Sequence, residues 1–309
     1  MSLISIVLAL LIEQARPLTV RHVENWLQAW SQWLETRFNA GERRHGVAAW
    51  MVGAALPAAA LLVAYAFAVW NNWLLTLILG VGVLYLTMGF RQFSHHFTDI
   101  HLALRVGEVQ KARQLLAAWR GGDTERLSSS EVARLAIEEA LLASHRHVFA
   151  PLFWFVVLGP AGALLYRLAR HFAQAWNGRG SPIQGAELGE FGEFARRAFA
   201  AIDWLPVRLT AASFAVVGNF EDAVYCWRSQ AGRWPNEPDG ILLAAGAGAL
   251  GVRLGMPIGA EDIGGDRPEM GVNEDADPDF MQSAVGLVWR TLVMALLVLV
   301  LLGVASWAT

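Results

Sequence analysis

Three arginines stand in or beside apolar stretches of this chain: Arg167, Arg208 and Arg253. A charge there is costly unless it is paired or faces water. Guanidinium groups suit planar, bidentate recognition of phosphate or carboxylate, so anion binding is the chemistry these positions point to. Arg208, set in its segment just after Pro206, favours binding or an internal ion pair. Arg167 and Arg290, near helix ends, also suit snorkelling to lipid headgroups. Glu221 and Asp222 follow Gly218-Asn219 and are candidate partners or Mg2+ ligands, with a helix N-terminal cap as the default.

Other groups are weaker. His95, His96, Asp99 and His101 form the densest cluster of metal-ligand types, and His95 and Asp99 share a helix face at i,i+4. A metal site needs a further ligand close in space, and a polar face just below a membrane span is the simpler reading. His145 and His147, two apart, point away from each other on a helix. Gly246, Gly248, Gly251 and Gly255 lack the Gly-Lys-Ser/Thr of a phosphate loop and the acidic residue of a dinucleotide fingerprint. Close helix packing explains these glycines better. Cys226 is the single cysteine, which excludes a disulfide within the chain and reads as a packed thiol.

The elements that must hold these residues are membrane helices. Of 309 residues, 55% are hydrophobic and 17% charged, where soluble domains carry about 25% charged residues. The apolar residues come in long uncharged blocks separated by segments dense in Arg, Glu and Asp. A net charge of −3 with no basic tract argues against nucleic-acid binding. The pattern predicts an all-α, polytopic helical membrane protein with cytoplasmic helical segments and a Gly-rich polar region before the last transmembrane helix. The lipid bilayer is its first partner; self-association into a homo-oligomer stays open.

Six segments follow. In 1–46, Met1 to Ile12 is apolar without a positive n-region or cleavage site, so it reads as a retained anchor or half-span. Val20–Phe38 carries Val23, Trp26, Leu27, Trp30, Trp33, Leu34 and Phe38 at helical spacing. It is an amphipathic helix, equally suited to the interface or to packing on a cytoplasmic domain. In 47–90, Val47–Val69 and Trp73–Phe90 are uncharged and form a transmembrane hairpin, with Pro57 kinking the first leg. Trp70, Asn71, Asn72 and Trp73 make the turn. Arg16, Arg21, Arg37, Arg43 and Arg44 before it, and Arg91, Arg105, Lys111 and Arg113 after it, place both ends in the cytoplasm and the turn outside.

Segment 91–147 predicts cytoplasmic helices. One, over Val106–Trp119, ends at Gly121-Gly122; the next runs from Glu131 to about His145 and is capped by Ser128–Ser130. Segment 148–218 holds Phe149–Leu168, broken by Pro151 and Gly159-Pro160, and Asp203–Gly218 with Pro206 inside. If both cross, Arg170, Arg179, Arg196 and Arg197 fall outside against the positive-inside tendency, so this topology stays open. Segment 219–287 reads as a polar, Gly-rich solvated domain or flap, acidic from Glu261 to Asp279. Val288–Trp307 closes the chain as a clean span within 288–309.

Several strings, in order, resemble the CobD/CbiB family of cobalamin-biosynthesis membrane proteins. They are Gly122-Asp123-Thr124 with Leu127, Ala136-Ile137-Glu138, Ala150-Pro151-Leu152-Phe153-Trp154, Gly159-Pro160-Ala161-Gly162-Ala163, Tyr166-Arg167 and Phe191-Gly192. Trp204 to Ala211, Gly248 to Gly255 and Trp289-Arg290 complete the set. The resemblance implies an adenosylcobinamide-phosphate synthase, which joins aminopropanol or its phosphate to adenosylcobyric acid, a corrinoid intermediate, as an amide, using Mg2+ and ATP. It implies Asp123, Glu138 and Arg208 as catalytic residues, and Thr124, Arg167, Arg197 and Arg253 as substrate or phosphate ligands.

Polar positions of the family pattern differ here. Its Glu-Asn and Asp-Gly read Leu142, Ala143, Arg146 and His147; its Ser-Pro-Asn-Ala-Gly reads Asn236 to Gly240, keeping only the glycine. Such a pattern keeps the fold while altering the active site. Ala150–Trp154 and Asp203–Leu209 also resemble the AmpE branch, which implies the alternative of a non-catalytic membrane regulatory protein.

Overall fold

The protein is described by a computed structural model covering residues 2–15, 20–40, 42–177, 190–258 and 267–308. Arg16, Arg179 and the acidic residues of 259–266 lie outside the described residues. In chain order the helices are α1 (Ser2–Ala15), α2 (Val20–Phe38), α3 (Arg43–Trp50), α4 (Leu56–Asn71), α5 (Trp73–Thr87), α6 (Phe90–Arg105) and α7 (Val109–Arg120). They continue as α8 (Ser129–Ser144), α9 (Ala150–Leu158), α10 (Pro160–Ala175), α11 (Glu193–Val217), α12 (Phe220–Gln230) and α13 (Glu237–Leu250). Short strands β1 (Val252–Gly255), β2 (Glu269–Met270) and β3 (Glu274–Asp275) precede the last helix, α14 (Pro278–Ala308).

The all-α expectation holds. Among the described residues, four helical stretches are long and apolar enough to cross a bilayer: Arg43–Asn71, Ser129–Leu158, Glu193–Val217 and Pro278–Ala305. Two of them share a device. A π-helical turn at Met51–Ala55 joins α3 to α4, and Leu56 N–H reaches back to the Met51 carbonyl. A second π turn, His145–Phe149, joins α8 to α9. Pro57 and Pro151 each follow their π turn at the same offset. A proline withholds the N–H that would bond the carbonyl four residues back and crowds that carbonyl. Widening the preceding turn accommodates the ring, so the helix runs on through each proline.

The sequence boundaries shift accordingly. The segment end placed at 147 lies inside the continuous helix Ser129–Leu158. The true break is Gly159, whose positive φ of 65° needs glycine, followed by Pro160 at the first position of α10. The second leg of the hairpin ends at Thr87; its 15 residues rise about 22 Å at 1.5 Å each, short of a core of about 30 Å. Pro206 is held inside α11 rather than ending it. The closing helix starts at Pro278, ten residues upstream of the expected Val288.

Two compact units divide the chain: Met1–Gly89 with Ala150–Pro206, and Phe90–Phe149 with Val207–Thr309. In the first, α1 packs along α5, and a Cβ on Gly80 would stand 2.8 Å from Ser5 Oγ, so glycine permits the approach. Its core gathers Leu27 and Leu34 of α2, Trp50 and Ala54, and Phe172, Trp176 and Phe191. Phe172 and Trp176 stack at 4.7 Å.

In the second unit, α13 is the centre. Gly240 through Ala249 are buried without a break, which corrects the expectation of a solvated, polar 219–287. Small side chains explain the error: a Cβ on Gly248 would sit 2.4 Å from the Asp222 carbonyl oxygen, and one on Gly246 2.7 Å from Leu141. Gly246 and Gly248 serve helix packing, as expected, whereas Gly251 and Gly255 hold positive φ and make turns instead. Gly251, at φ 68°, ends α13 in the left-handed conformation and turns the chain into β1. Strand β1 lies between β2, antiparallel, and β3, parallel.

Candidate functional site

Helix α8 begins at a full capping box. Ser128 Oγ accepts from Glu131 N, and Glu131 accepts from Ser128 N at 2.7 Å. Just upstream, Gly121 stops α7 with φ 76°, and Thr124 donates to the Arg113 carbonyl at 2.9 Å. The buried Thr124 therefore ties the loop to α7. Asp123 is exposed and accepts from Glu125 N at 3.0 Å, a turn of its own backbone. Ser130 of the first turn of α8 donates to the Ala276 carbonyl at 2.7 Å, which docks the exit of β3 there.

Two turns along α8, Glu138 is buried with both carboxylate oxygens engaged. One accepts from Gly255 N at 2.8 Å, and the other pairs with Arg267 at 2.6 Å. Arg267 also donates to the Met256 carbonyl at 3.2 Å and lies over the Trp234 ring at 5.2 Å. Arg134, one turn before Glu138, donates to the Pro257 carbonyl at 3.2 Å. Three charged side chains thus clamp the bend that leaves β1. Gly255 and Met256 both hold positive φ there, 74° and 63°. Such a conformation is strained for methionine and persists only where its surroundings impose it.

Arg253 stands on the middle strand between two carboxylates, 2.8 Å from Asp275 and 3.7 Å from Glu269. Both acids are more than half exposed, at 63% and 56%. The Nε atoms of Arg134 and Arg253 are buried and have no hydrogen-bond partner. Unsatisfied buried donors are rare and call for an explanation.

A second polar group sits at the other end of α13. His145 Nδ1 lies 2.9 Å from Thr210 Oγ1. Arg146 pairs with Asp239 at 2.6 Å, and Asn236 donates to the same carboxylate at 2.9 Å. Arg208 reaches Glu237 at 3.3 Å. With α13 14 residues long, its ends are separated by about 20 Å at 1.5 Å per residue.

The structure therefore gathers Glu138 and Arg253 at the sheet end, with the loop carrying Asp123 and Thr124 at the start of the same α8. It places Arg208 at the opposite end of α13. Glu221 is exposed, and Asp222 accepts from Asn219 at 2.6 Å in the cap of α12, the default reading for this pair. Arg167 and Arg197 belong to the first unit. Arg167 interacts with Glu24 of α2, and Arg197 forms an exposed ion pair with Glu193 one turn back. His96 stacks on Trp119 at 6.0 Å. Among the described residues no group of three His, Cys, Asp or Glu side chains is arranged to hold a metal ion.

Sequence reading missed Arg134 and Arg267. Arg134 looks like an ordinary polar position of a helix, and Arg267 meets Glu138 across 129 residues of chain. A signal existed in Gly255, whose glycine marks the turn that both arginines clasp.

The family model described as CobD/Cbib protein matches residues 3–288. A protein of Stutzerimonas stutzeri named Cobalamin biosynthesis protein CobD is 36% identical over 283 residues, covering 87% of each chain. A protein of the same name from Chromobacterium violaceum is 36% identical over 234 residues, covering 74% of this chain and 73% of its own. A third, from Methanothermobacter thermautotrophicus and named a probable CobD, is 30% identical over 165 residues, half of this chain and 54% of its own. No solved structure matches the chain.

Proposed function

The chain belongs to the CobD/CbiB family of cobalamin biosynthesis, and from that premise we propose that it is a multi-pass protein of the bacterial inner membrane with adenosylcobinamide-phosphate synthase activity. The reaction joins the propionate of adenosylcobyric acid to the amine of aminopropanol or its phosphate. A C–N bond replaces a C–O bond, the departing oxygen leaves with the phosphate split from ATP, and the amine gives up its proton. ATP supplies the activation that amide formation in water lacks, and Mg2+ screens the phosphate charge.

The observation that carries this reading is the arginine cluster at the sheet end, with its two unpartnered buried Nε donors. Arg253 and Arg134 suit phosphate or carboxylate oxygens. Asp275 and Glu269, open to water beside Arg253, suit a hydrated Mg2+, which needs one or two carboxylates besides phosphate. They fit better than Glu221 and Asp222. Glu138 is a positioning residue that holds the Gly255–Pro257 bend against this cluster. The four membrane-length helices support the membrane assignment, and the bacterial CobD relatives support the inner membrane. None of the relatives named above points to the AmpE-like alternative.

Purified protein in lipid nanodiscs, given adenosylcobyric acid, aminopropanol phosphate and Mg-ATP, should release the amide, seen by mass spectrometry, together with ADP. Arg253→Ala should lower turnover without changing the unfolding midpoint. Absence of both turnover and corrinoid binding would overturn the assignment.

A further inference from the structure

Helix α2 has two working faces, and its packing uses only one. Leu27, Ser31, Leu34 and Glu35 are buried within the first unit. There His171 of α10 bonds the Leu27 carbonyl, and Trp176 donates to the Ser31 carbonyl. The neighbouring face carries three tryptophans at i, i+4 and i+7. Trp26 and Trp30 stack at 6.1 Å with their planes 3° apart, and Trp30 and Trp33 at 5.3 Å and 9°. Trp30 leans on the core, while Trp26 and Trp33 are 61% and 51% exposed.

Two observations identify what covers this ladder. Its exposed surroundings are Asn25, Gln28, Ala29, Gln32 and Thr36, uncharged throughout, with Glu24 and Arg37 only at the ends. Indole is the side chain enriched where headgroups meet acyl chains, since its apolar ring and polar N–H suit both sides. A face built to meet bulk water would carry charges. Second, α2 is joined by 39–42 to the membrane-length helix Arg43–Asn71. Its C-terminal end is thus tethered within a few residues of a bilayer entry point. Arg37 and Arg43, both exposed, add cations where anionic headgroups lie.

We propose that α2 lies in the plane of the bilayer surface, with the Trp26–Trp30–Trp33 ladder seated among lipid headgroups. The proposal rests on the membrane assignment above. The same ladder would hold the first unit at a fixed depth, because its opposite face is packed into that unit's core.

Spin labels test it in the full-length protein in nanodiscs of phosphatidylethanolamine and phosphatidylglycerol. Cysteine is placed singly at Ala29 on the ladder face, at Val63 on an exposed face of α4, and at Glu125 in the α7–α8 loop; Cys226 is buried and stays unlabelled. Collisions with oxygen are compared with collisions with a water-soluble nickel chelate. At Ala29 the oxygen-to-nickel ratio should exceed that at Glu125 and fall below that at Val63. A water-like ratio at Ala29 with a lipid-like ratio at Val63 overturns the proposal alone; a water-like ratio at Val63 overturns the membrane assignment. Low collision with both reagents at Ala29 means a protein partner or second copy covers the face, which also overturns it. As a second readout, brominated lipids should quench less of the total emission in the Trp26→Gln, Trp33→Gln double variant than in the parent.

Discussion

The family resemblance implies Glu138 as catalytic and Arg253 as a phosphate ligand, and their surroundings give them different parts. Glu138 has no oxygen to spare, and removing one partner of a buried ion pair costs about 3–5 kcal/mol. Arg267→Ala should therefore lower the unfolding midpoint clearly in detergent, and Glu138→Gln less so, because the amide oxygen still accepts from Gly255 N–H. Arg253 pairs with acids that face water, where such contacts contribute at most about 1 kcal/mol. Its replacement should spare stability and lower turnover. Arg146 and Asp239 stand where the family pattern carries Asp and Ala, yet they form one close ion pair, so the two departures complement each other. A double-mutant cycle on Arg146→Ala and Asp239→Ala should show a coupling of about 0.5–3 kcal/mol; additive effects would remove that interpretation.

Among elements, those bounded by local chemistry were legible. Val20–Phe38 is a helix over the range its periodicity marks, Gly121 ends α7, and Ser128 starts α8. Ser128→Ala should cost about 1 kcal/mol in thermal unfolding. What escaped depends on contacts distant in sequence. A π turn is marked only by the proline two residues beyond it, which by itself reads as a helix break, so the run through Arg146 and His147 looked like a helix end. Helix α13 looked polar because Gly and Ala lack bulk, although the same smallness buries it. Gly248→Ala should destabilise by about 1–3 kcal/mol, since its Cβ meets the α12 backbone. Gly82→Ala, with nothing within 4 Å, should be neutral or gain up to about 1 kcal/mol of helix propensity. The anion cluster was half visible: Glu138 and Arg253 came with the recognised strings, while Arg134 and Arg267 needed the fold.

For the whole molecule, the basic flanks predict sidedness. A cysteine at Asn71, in the turn between α4 and α5, should react with a membrane-impermeant maleimide in intact cells; one at Glu125 should react only after permeabilisation. The reverse pattern would invert the protein in the membrane. The native thiol gives little background, since burial, with Asp222 adding to it, pushes Cys226 up to about 11. It stays protonated near neutral pH and gains reactivity only as pH climbs toward that value.

The π turn at Met51–Ala55 has a consequence for how α2 is aimed. One additional residue in a helix advances everything on one side of it by about 100° of azimuth. That turn sets the angular phase between α4 and the segment Arg43–Trp50, to which α2 is joined. Rewinding these five residues as plain α-helix would leave composition, hydropathy and apolar length unchanged while turning the upstream helix by about a quarter circle. Hydropathy would report the same span, but the tryptophan ladder would point elsewhere.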